Sequence, residues 1–495
     1  MKNITRRSFL QKGALSAAAI TIVPNTILGK SYGHIAPTDK MNIAAVGIGG
    51  MGNQNLTHVQ SENIVALCDI DWKYAKHVFE NYPQAKKYWD YRKMYEEMGK
   101  SIDGVIIATA DHTHAIITAD AITMGKHVYC QKPLTHSVYE SRLLTKLAAK
   151  YKVATQMGNQ GASGEGVSQV CEWIWNGEIG EITKVEAFTD RPIWAQGLMP
   201  PSKADKVPSS MNWDLFTGPA AMRPFSHLYN PWSWRGWWDY GTGALGDMAC
   251  HILHPVFKAL QLKYPIKVQG SSTLLLTDCA PQAQHIQLTF PARPNMPKVA
   301  MPEVDIHWYD GGWRPSIPKG FPAGKDMNYQ GGGVIFHGTK DTLICGCYGL
   351  DPWLLSGRVP NAPKVCRRVP GGHIHDGKHE QDWIRACKES SENRVLPASD
   401  FSEAGPFNEM VVMGVLAVRL QGLNKILEWD GQNMCFTNIN DNETLQICKR
   451  DGFTVKDGHP TFQKDWTDPI NAKEFSKELI KHNYRQGWNL PDMPR

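Results

Sequence analysis

Two side chains in the segment Gly246–His251 have the types and spacing needed for acid–base chemistry. Asp247 and His251 lie four positions apart at the start of a predicted helix, so they share one face of it. A carboxylate beside an imidazole holds the ring in orientation and stabilises its charged form, which suits a base that removes an alcohol proton. A purely structural pair also fits. His254 could contact a substrate, complete a metal site with His251, or pack in the core.

A lysine follows a second candidate element. The apolar run 127–130 predicts a strand, and Gln131, Lys132 and Pro133 come directly after it. Open parallel sheets bind ligands at the carboxyl ends of their strands, so we expect Lys132 to point toward a crevice. The run that begins at Ile106 ends in a polar cluster of the same kind, formed by Thr109, Asp111, His112, Thr113 and His114. Asp111 or Thr113 could instead cap the next helix.

The element that positions these groups is a strand that leads into a glycine-rich turn. Gly47 permits a tight turn, Gly49 lets the backbone approach a pyrophosphate, and Gly52 lets the following helix pack closely on the strand. The pattern predicts a dinucleotide cofactor. The turn residues expected to contact it are Gly47, Gly49, Gly50, Met51 and Gly52.

A second apolar run ends in Asp69, 22 positions after Gly47. That spacing suits an acidic residue that binds the adenosine ribose hydroxyls. A carboxylate there repels a 2′-phosphate, so we expect NAD rather than NADP, although Lys73 and Lys76 keep NADP as an alternative.

Short apolar runs alternate with helical patterns across residues 41–156, which predicts a doubly wound parallel sheet. Strands are expected at 42–47, 63–68, 103–108, 127–130 and 152–156, with helices at 50–60, 71–79, 114–124 and 137–150. The second half reads as an α/β domain with an open, mostly antiparallel sheet, and with helices at 160–176 and 244–262. The expected divisions are a signal peptide 1–33, a Rossmann domain 38–160, a substrate and oligomerisation domain 161–430 and a C-terminal extension 431–495.

The N-terminal segment 5–11, Thr-Arg-Arg-Ser-Phe-Leu-Gln, precedes a mostly apolar stretch and resembles a twin-arginine export signal. Pro24 interrupts that stretch, and a membrane span requires about 20 predominantly apolar residues. We therefore expect no membrane span, and a protein exported to the periplasm or otherwise out of the cytoplasm. A cofactor loaded before export would be held tightly.

The composition argues against several other classes of protein. A net charge of +5 over 495 residues, with no basic tract after the signal, gives no reason to expect nucleic acid or an anionic membrane as a partner. The 11 cysteines are scattered, and only Cys345 and Cys347 lie close together, so neither a disulfide framework nor a metal site is indicated.

From Asn42 to about Leu427 the chain resembles the glucose-fructose oxidoreductase, inositol dehydrogenase and rhizopine catabolism (Gfo/Idh/MocA) family. The resemblance rests on the order of four motifs, which are the glycine turn, Asp111–His114, Gly125–Leu134 and Asp247–His251. It implies a Rossmann domain followed by an open-faced α/β domain. It also implies hydride transfer from a sugar-type carbinol carbon to NAD, in an oligomer that is a dimer or a tetramer.

The resemblance assigns roles to individual residues. Lys132 matches the catalytic lysine, Asp247 and His251 match the Asp-x-x-x-His pair, and the peptide before Pro133 is expected to be cis. Either Lys132 or His251 could be the base. The other residues expected at the cofactor are Thr109, Asp111, His114, Gln131, Gln156 and Asn159. Gln131 is a departure, because the family usually has a glutamate there, and it leaves Lys132 with one fewer negative neighbour.

Six tryptophans between residues 194 and 238 suit the apolar faces of a carbohydrate. They are Trp194, Trp213, Trp232, Trp234, Trp237 and Trp238. The residues expected to contact substrate are Trp194, Arg191, Trp234, Arg235, Trp238, His254 and His379. The expected reaction is oxidation of a ring hydroxyl of a sugar or glycoside, with C3 as one candidate carbon.

Three other functions stay open at this point. The first is a glycosidase that uses NAD transiently, so that the glycosidic bond leaves by elimination. The second is a non-catalytic sugar-binding relative. The third is a cofactor-recycling reaction between two sugars, which suits an exported enzyme that cannot exchange NADH with the cytoplasm.

Overall fold

Strand β1 (Asn42–Val46) starts the first of two sheets, and its last four residues are buried. A computed structural model describes residues 39–372 and 374–495, so the predicted signal at 1–33 lies outside the described residues. The first sheet has six strands in the order β3-β2-β1-β4-β5-β6, and every neighbouring pair is parallel. The other strands are β2 (Asn63–Cys68), β3 (Lys86–Tyr88), β4 (Gly104–Ile107), β5 (His127–Cys130) and β6 (Thr155–Met157).

Five helices connect these strands. They are α1 (Met51–His58), α2 (Lys76–Asn81), α3 (Tyr91–Met98), α4 (Asp111–Thr123) and α5 (Val138–Tyr151). Helix α5 begins with a capping box, in which the side chains of Ser137 and Glu140 each bond the other residue's backbone N–H. The parallel order reverses at β1, so β1 and β4 diverge at the switch point where doubly wound sheets bind ligands.

The second sheet has nine strands in the order β13-β12-β11-β7-β10-β9-β8-β14-β15. Its strands are β7 (Ile182–Thr189), β8 (Lys267–Ser272), β9 (Gln284–Phe290), β10 (Val304–Tyr309), β11 (Gly332–Gly338), β12 (Thr342–Gly346), β13 (Trp353–Leu354), β14 (Leu427–Asp430) and β15 (Cys435–Phe436). Only the β7–β10 pair is parallel. The predicted fold class is confirmed: a Rossmann domain precedes an α/β domain with a mostly antiparallel sheet.

Six further helices follow β6 in the chain, and they are α6 (Glu165–Trp175), α7 (Trp213–Thr217), α8 (Gly243–Ile252), α9 (His254–Ala259), α10 (Lys378–Cys387) and α11 (Phe401–Arg419). Helix α11 packs on one face of the sheet, against β8 and β9. The opposite face carries half-exposed polar side chains, which include those of Lys184, His285 and His307.

The chain ends in a small set of elements after β15. Strands β16 (Thr444–Leu445) and β19 (Ile470–Asn471) pair with each other, and β17 (Cys448–Lys456) with β18 (His459–Trp466) forms an exposed hairpin. Helix α12 (Ala472–Ile480) then leads into a tail, residues 481–495, that returns to the Rossmann domain. In the described part of the chain, none of the helices is both long enough and apolar enough to cross a membrane.

Several predicted boundaries differ from the structure. The helix predicted at 244–262 is divided at Leu253, where Pro255 opens α9 because proline lacks the N–H that a continuous helix needs. The helix predicted at 71–79 begins only at Lys76. The segment 160–176 starts with a 3-10 turn before α6 begins at Glu165.

Candidate functional site

Lys132 and Asp247 meet at the carboxyl end of β5. Lys132 Nζ donates to Asp247 Oδ1 at 2.7 Å and to the carbonyl oxygen of Asp247 at 3.0 Å. Arg235 Nε donates to the same Oδ1 at 3.2 Å. Burial alone raises the pKa of Asp247, but the charges of Lys132 and Arg235 outweigh it and hold that pKa far below its usual range. Asp247 is therefore a carboxylate that orients two cations.

The hydrogen bond expected between Asp247 and His251 is not formed. Although the two residues lie one turn apart on α8, the Asp247 carboxylate bonds the longer side chains of Lys132 and Arg235 instead. His251 lies with its ring 4.5 Å from that of Tyr348, and its buried Nδ1 has no partner among the described residues. Burial and the nearby charge of Lys132 lower the pKa of His251, so its imidazole is neutral at neutral pH.

The turn after β1 has the close approaches that its glycines predict. Gly47 has a φ of +77°. A Cβ at Gly52 would lie 2.1 Å from the carbonyl oxygen of Gly47, and one at Gly49 would collide with the Tyr74 ring. Any larger residue at Gly52 would separate α1 from β1, and the positive φ of Gly47 favours glycine, so the predicted reasons hold for Gly47 and Gly52. The approach of Gly49 to a pyrophosphate stays a prediction.

Asp69 is tied to this turn. Its Oδ2 accepts hydrogen bonds from the N–H groups of Ile48 at 2.8 Å and Gly49 at 3.1 Å, and its Oδ1 accepts one from Asp71. Burial raises the pKa of Asp69 to about 6, against these bonds. Oδ2 already accepts two hydrogen bonds, but Oδ1 accepts only one and has a second lone pair, so Asp69 can hold the turn and still accept from a ribose hydroxyl.

The glycine turn, Asp69 and Lys132 line one cleft. The cleft is lined further by Gly50, Met51, Thr109, Gln131 and Arg235, and at its other end by Trp89, Asp90, Tyr91 and Trp488. Three carboxylates, those of Asp69, Asp71 and Asp90, lie along the end near β2 and β3. This negative charge disfavours a 2′-phosphate there.

Gln131 belongs to a buried chain of hydrogen bonds. Its Nε2 donates to Asn55 Oδ1 at 2.9 Å, and Asn55 Nδ2 donates to Glu380 Oε1 at 2.7 Å. Burial raises the pKa of Glu380, but the bond to His58 and its charge more than offset this, so Glu380 remains ionised. A carboxylate is thus already present beside this strand, on α10, and the amide at residue 131 avoids a second one.

Asp111 and His114 hold the framework of the site. Asp111 is buried and accepts from the backbone N–H and hydroxyl of Thr242, which joins the Rossmann domain to the start of α8. His114 is buried, and its two ring nitrogens lie 2.7 Å and 3.1 Å from the carbonyl oxygens of Pro133 and Thr109. Both side chains are thus engaged within the protein. The Lys132–Pro133 peptide is cis, as the resemblance implies.

Gln156 and Asn159, the two residues expected near the nicotinamide, differ in their hydrogen bonding. Gln156 is fully buried, donates to the carbonyl oxygen of His379 and accepts from Ser399, so its amide is already bonded within the protein. Asn159 is also buried, but both its Oδ1 and its Nδ2 have no partner among the described residues. Asn159 is not among the residues that line the cleft, so its contact with a cofactor stays a prediction.

The residues expected at the substrate divide into two groups. Trp234 and Arg235 line the cleft, and the Arg235 guanidinium lies 4.4 Å from the Trp234 ring and 4.0 Å from that of Trp232. The others lie outside the cleft lining. Trp194 donates to Gln196, Arg191 pairs with Asp190, Trp238 is buried near Arg419, and His379 bonds Ser163 and Met157. Their side chains are engaged in packing or internal bonds, and their contact with a substrate stays a prediction.

His254 does not form a metal site with His251. Its Nε2 lies 2.8 Å from Glu403 Oε1, and Lys258 Nζ lies 3.1 Å from the same carboxylate oxygen. In the part of the chain that the structure describes, no cluster of three or more histidine, cysteine, aspartate or glutamate side chains is placed to hold a metal ion.

Sequence reasoning missed several aromatic residues of the site. Trp89, Tyr91 and Trp488 line the cleft, and no periodic pattern marks them. Tyr348 contacts His251 and has a φ of 64°, a left-handed conformation that an aromatic residue rarely adopts and that clusters at functional sites.

These observations define a class: a two-domain nucleotide-binding α/β protein with a buried lysine and carboxylate at the cleft. The comparisons with known proteins agree. Residues 41–159 match the model described as "Oxidoreductase family, NAD-binding Rossmann fold", and residues 175–293 match "Oxidoreductase family, C-terminal alpha/beta domain". The chain belongs to the Gfo/Idh/MocA oxidoreductase family, and its first domain is an NAD-binding Rossmann fold.

Two kinds of curated relatives are similar to part of the chain. "Glycosyl hydrolase family 109 protein 1" of Shewanella sp. (strain ANA-3) is 30% identical over 213 residues, which are 38% of this chain and 46% of that protein. "Inositol 2-dehydrogenase" of Salmonella agona (strain SL483) is 30% identical over 142 residues, 28% of this chain and 42% of that protein. The chain spans less than half the length of either relative.

Solved structures share the fold at low identity. The WlbA dehydrogenase from Bordetella pertussis, solved with NADH and UDP-GlcNAcA, superposes with a TM-score of 0.52 at 14% identity, over 79% of this chain and 99% of that one. An inositol dehydrogenase homolog from Azotobacter vinelandii, solved with NADH and myo-inositol, gives 0.52 at 17% identity, over 79% and 98%.

Proposed function

We propose that this protein is an NAD-dependent oxidoreductase that oxidises a ring hydroxyl of a sugar or glycoside, with C3 of a glycoside as one candidate position. The observation that carries the proposal is the largely buried Lys132–Asp247 pair, whose Lys132 lines the cleft that begins at the glycine turn. His251 lies one helical turn after Asp247 on α8. The close-packed glycines of the turn fit a dinucleotide.

In this proposal the bound nicotinamide supplies the hydride acceptor. His251 removes the hydroxyl proton, because its lowered pKa keeps the imidazole neutral and ready to accept one. Lys132 Nζ uses two of its three hydrogens on Asp247 and directs the third at the substrate oxygen, where it stabilises developing negative charge. Asp247 is a positioning residue, since it acts through Lys132 and Arg235.

The sugar assignment rests on the wall of the cleft beside Lys132. Trp232 is 51% exposed there, and it lies with Trp234 around the guanidinium of Arg235. An aromatic face next to several hydrogen-bond donors suits a ring that has apolar faces and a hydroxyl rim. The name of the similar inositol 2-dehydrogenase, and the UDP-GlcNAcA and myo-inositol bound in two similar structures, support the same substrate class.

The first test uses the purified full chain without added NAD. Denaturation and chromatography should release NAD or NADH, and addition of methyl glucoside or myo-inositol should raise the absorbance near 340 nm. Variants His251→Asn and Lys132→Met should keep the bound cofactor and lose the rise. Trp466→Phe, an exposed residue of the β17–β18 hairpin, is the matched control and should behave as wild type. No cofactor, and no rise even with NAD supplied, would contradict the proposal.

A second candidate function is a glycosidase in which NAD oxidises the sugar only transiently. The similarity to a protein named as a family 109 glycosyl hydrolase favours it. A p-nitrophenyl glycoside separates the two functions. Release of nitrophenol with no net NADH supports the glycosidase, whereas NADH formed in step with a keto sugar supports the dehydrogenase.

We further propose export through the segment that contains Arg6 and Arg7, with tightly held NAD, and association of copies through the polar open face of the second sheet. The twin-arginine pattern supports export, and the half-exposed row of polar side chains opposite α11 supports association. Cell fractionation of wild type against Arg6→Lys/Arg7→Lys tests export. Light scattering of wild type against His307→Glu tests association.

A further inference from the structure

The C-terminal tail, residues 481–495, lies outside both matched family regions, yet it reaches the cofactor cleft. Trp488 lines that cleft together with Trp89, Asp90 and Tyr91, at the end that also contains Asp69. Trp89 follows β3, which pairs with the strand that ends before Asp69, so both lie at the carboxyl edge of neighbouring strands. This is the end of the cleft expected to hold the adenosine half of NAD.

The Trp488 ring is fixed in place. The guanidinium of Arg92 lies 4.3 Å from the ring centroid, the ring of Tyr91 lies 6.3 Å away, and Trp488 is only 6% exposed. Arg92 is itself held by Asp90 at 2.6 Å. An indole packed on one side by a cation, and lining a cleft, is a preformed surface for a flat aromatic ring such as adenine.

The tail is anchored on two sides. On one side, Arg485 bonds Asp214 at 2.6 Å and the carbonyl oxygen of Gly218 at 3.0 Å, next to α7, whose Leu215 and Phe216 line the same cleft. On the other, Tyr484 OH donates to the buried Glu140 of α5 at 2.7 Å, and Lys146 of α5 bonds the carbonyl oxygen of Pro494 at 3.2 Å. The tail therefore crosses from α7 to helix α5 of the Rossmann domain.

We propose that this tail is the outer wall of the adenosine half of the cofactor site, with Trp488 in contact with the adenine ring and Arg485 holding the wall closed. The inference rests on the proposed use of NAD and adds a residue set that neither family region contains. A wall that must open before the cofactor leaves slows its release, which gives the tight binding that an exported enzyme needs.

The tests use the full chain after its bound cofactor has been removed. Calorimetry then measures binding of ADP, which carries only the adenosine half, and of NAD. Trp488→Ala should weaken both by about tenfold or more, the scale expected for loss of one base–aromatic stacking contact. Arg485→Ala should speed NAD release in a chase with excess unlabelled NAD. Trp466→Ala, an exposed tryptophan on β18, is the matched control and should leave both quantities unchanged.

Hydrogen exchange on the wild-type chain gives a readout that does not depend on the variants folding. ADP should slow exchange across residues 481–495. Two results would overturn this inference while the wild-type chain still binds NAD and ADP. They are an unchanged affinity of Trp488→Ala for both ligands, and hydrogen exchange of the tail that ADP does not slow. Either result would leave the proposed function standing. A wild-type chain that binds neither ADP nor NAD would overturn both.

Discussion

The ammonium of Lys132 lies 2.7 Å from Oδ1 of Asp247, and both side chains are largely buried. The guanidinium of Arg235 reaches the same oxygen at 3.2 Å. One carboxylate therefore neutralises and orients two cations at the edge of the cleft. Loss of that carboxylate would leave two buried positive charges without their partner, which is costly even when the shape of the side chain is kept.

Asp247→Asn should lower kcat/KM by about a hundredfold or more, because Lys132 loses the group that directs it, and should lower stability by about 3 kcal/mol. Steady-state kinetics and thermal melting measure the two effects. Glu80→Gln breaks an exposed pair with Lys76 and serves as the control. Wild-type activity in Asp247→Asn would show that the orientation of Lys132 does not matter.

The pH profile should reflect the neutral imidazole of His251. Burial and Lys132 lower its pKa below the usual 6.5, so the base form persists as the pH falls through that value. We expect kcat/KM to stay flat between about pH 6 and 7.5 and to decline only at more acidic pH. A decline with its midpoint near 6.5 would indicate a base that is not buried in this way.

Gln131→Glu should destabilise the protein although it restores the residue usual in the family. The new carboxylate would face Asn55 Oδ1, which now accepts a hydrogen bond at 2.9 Å, and would join the buried, ionised Glu380 in the same network. The expected cost is about 1–3 kcal/mol in thermal or urea unfolding. Gln432→Glu, on an exposed turn, is the control and should unfold like wild type.

Asp69→Ala should weaken NAD binding by at least about tenfold and reduce the preference for NAD over NADP. The change removes the acceptor of the Ile48 and Gly49 N–H groups and one of three carboxylates at the adenosine end. Calorimetry with NAD and with NADP gives both affinities. Equal affinity of the wild type for the two cofactors would contradict the electrostatic argument.

The free energy of unfolding should decrease in acid because Glu403 becomes protonated. Burial raises its pKa, but His254 and Lys258 outweigh this and hold it at about 2. Because the folded value lies below the ordinary 4.5, this contribution is fully present above about pH 4.5 and is lost as the pH falls toward 2. Glu403→Gln should lower the melting temperature at pH 7 and flatten its decline below pH 4.5. If the melting temperature of Glu403→Gln fell below pH 4.5 as steeply as that of the wild type, the pairing of Glu403 with His254 and Lys258 would contribute nothing to stability.

The Rossmann half could be predicted well from the sequence because its strands are short apolar runs with helical patterns between them. Strand β3 and helix α3 could not be predicted. Strand β3 has only three residues, and it begins with the exposed Lys86 and Lys87. No alternation is visible in so short an edge strand.

The site was predicted in part. Lys132, Asp69 and the glycines follow from strand ends and spacing, and the structure places them in one cleft. The partner of Asp247 could not be predicted, because helical spacing points to His251 while the actual bonds come from residues 115 positions and 12 positions away. Trp488 was missed because contacts with residues far away in the sequence, such as that with Arg92, bring it to the cleft.

The most direct test of the central claim follows the transferred hydrogen. Purified wild-type protein is incubated with methyl glucoside deuterated at the ring carbons, and the bound cofactor is analysed by mass spectrometry. The account predicts that deuterium appears on the nicotinamide, and that His251→Asn and Lys132→Met abolish the transfer while the cofactor stays bound. A keto product formed while the nicotinamide remains unlabelled would contradict hydride transfer in this cleft.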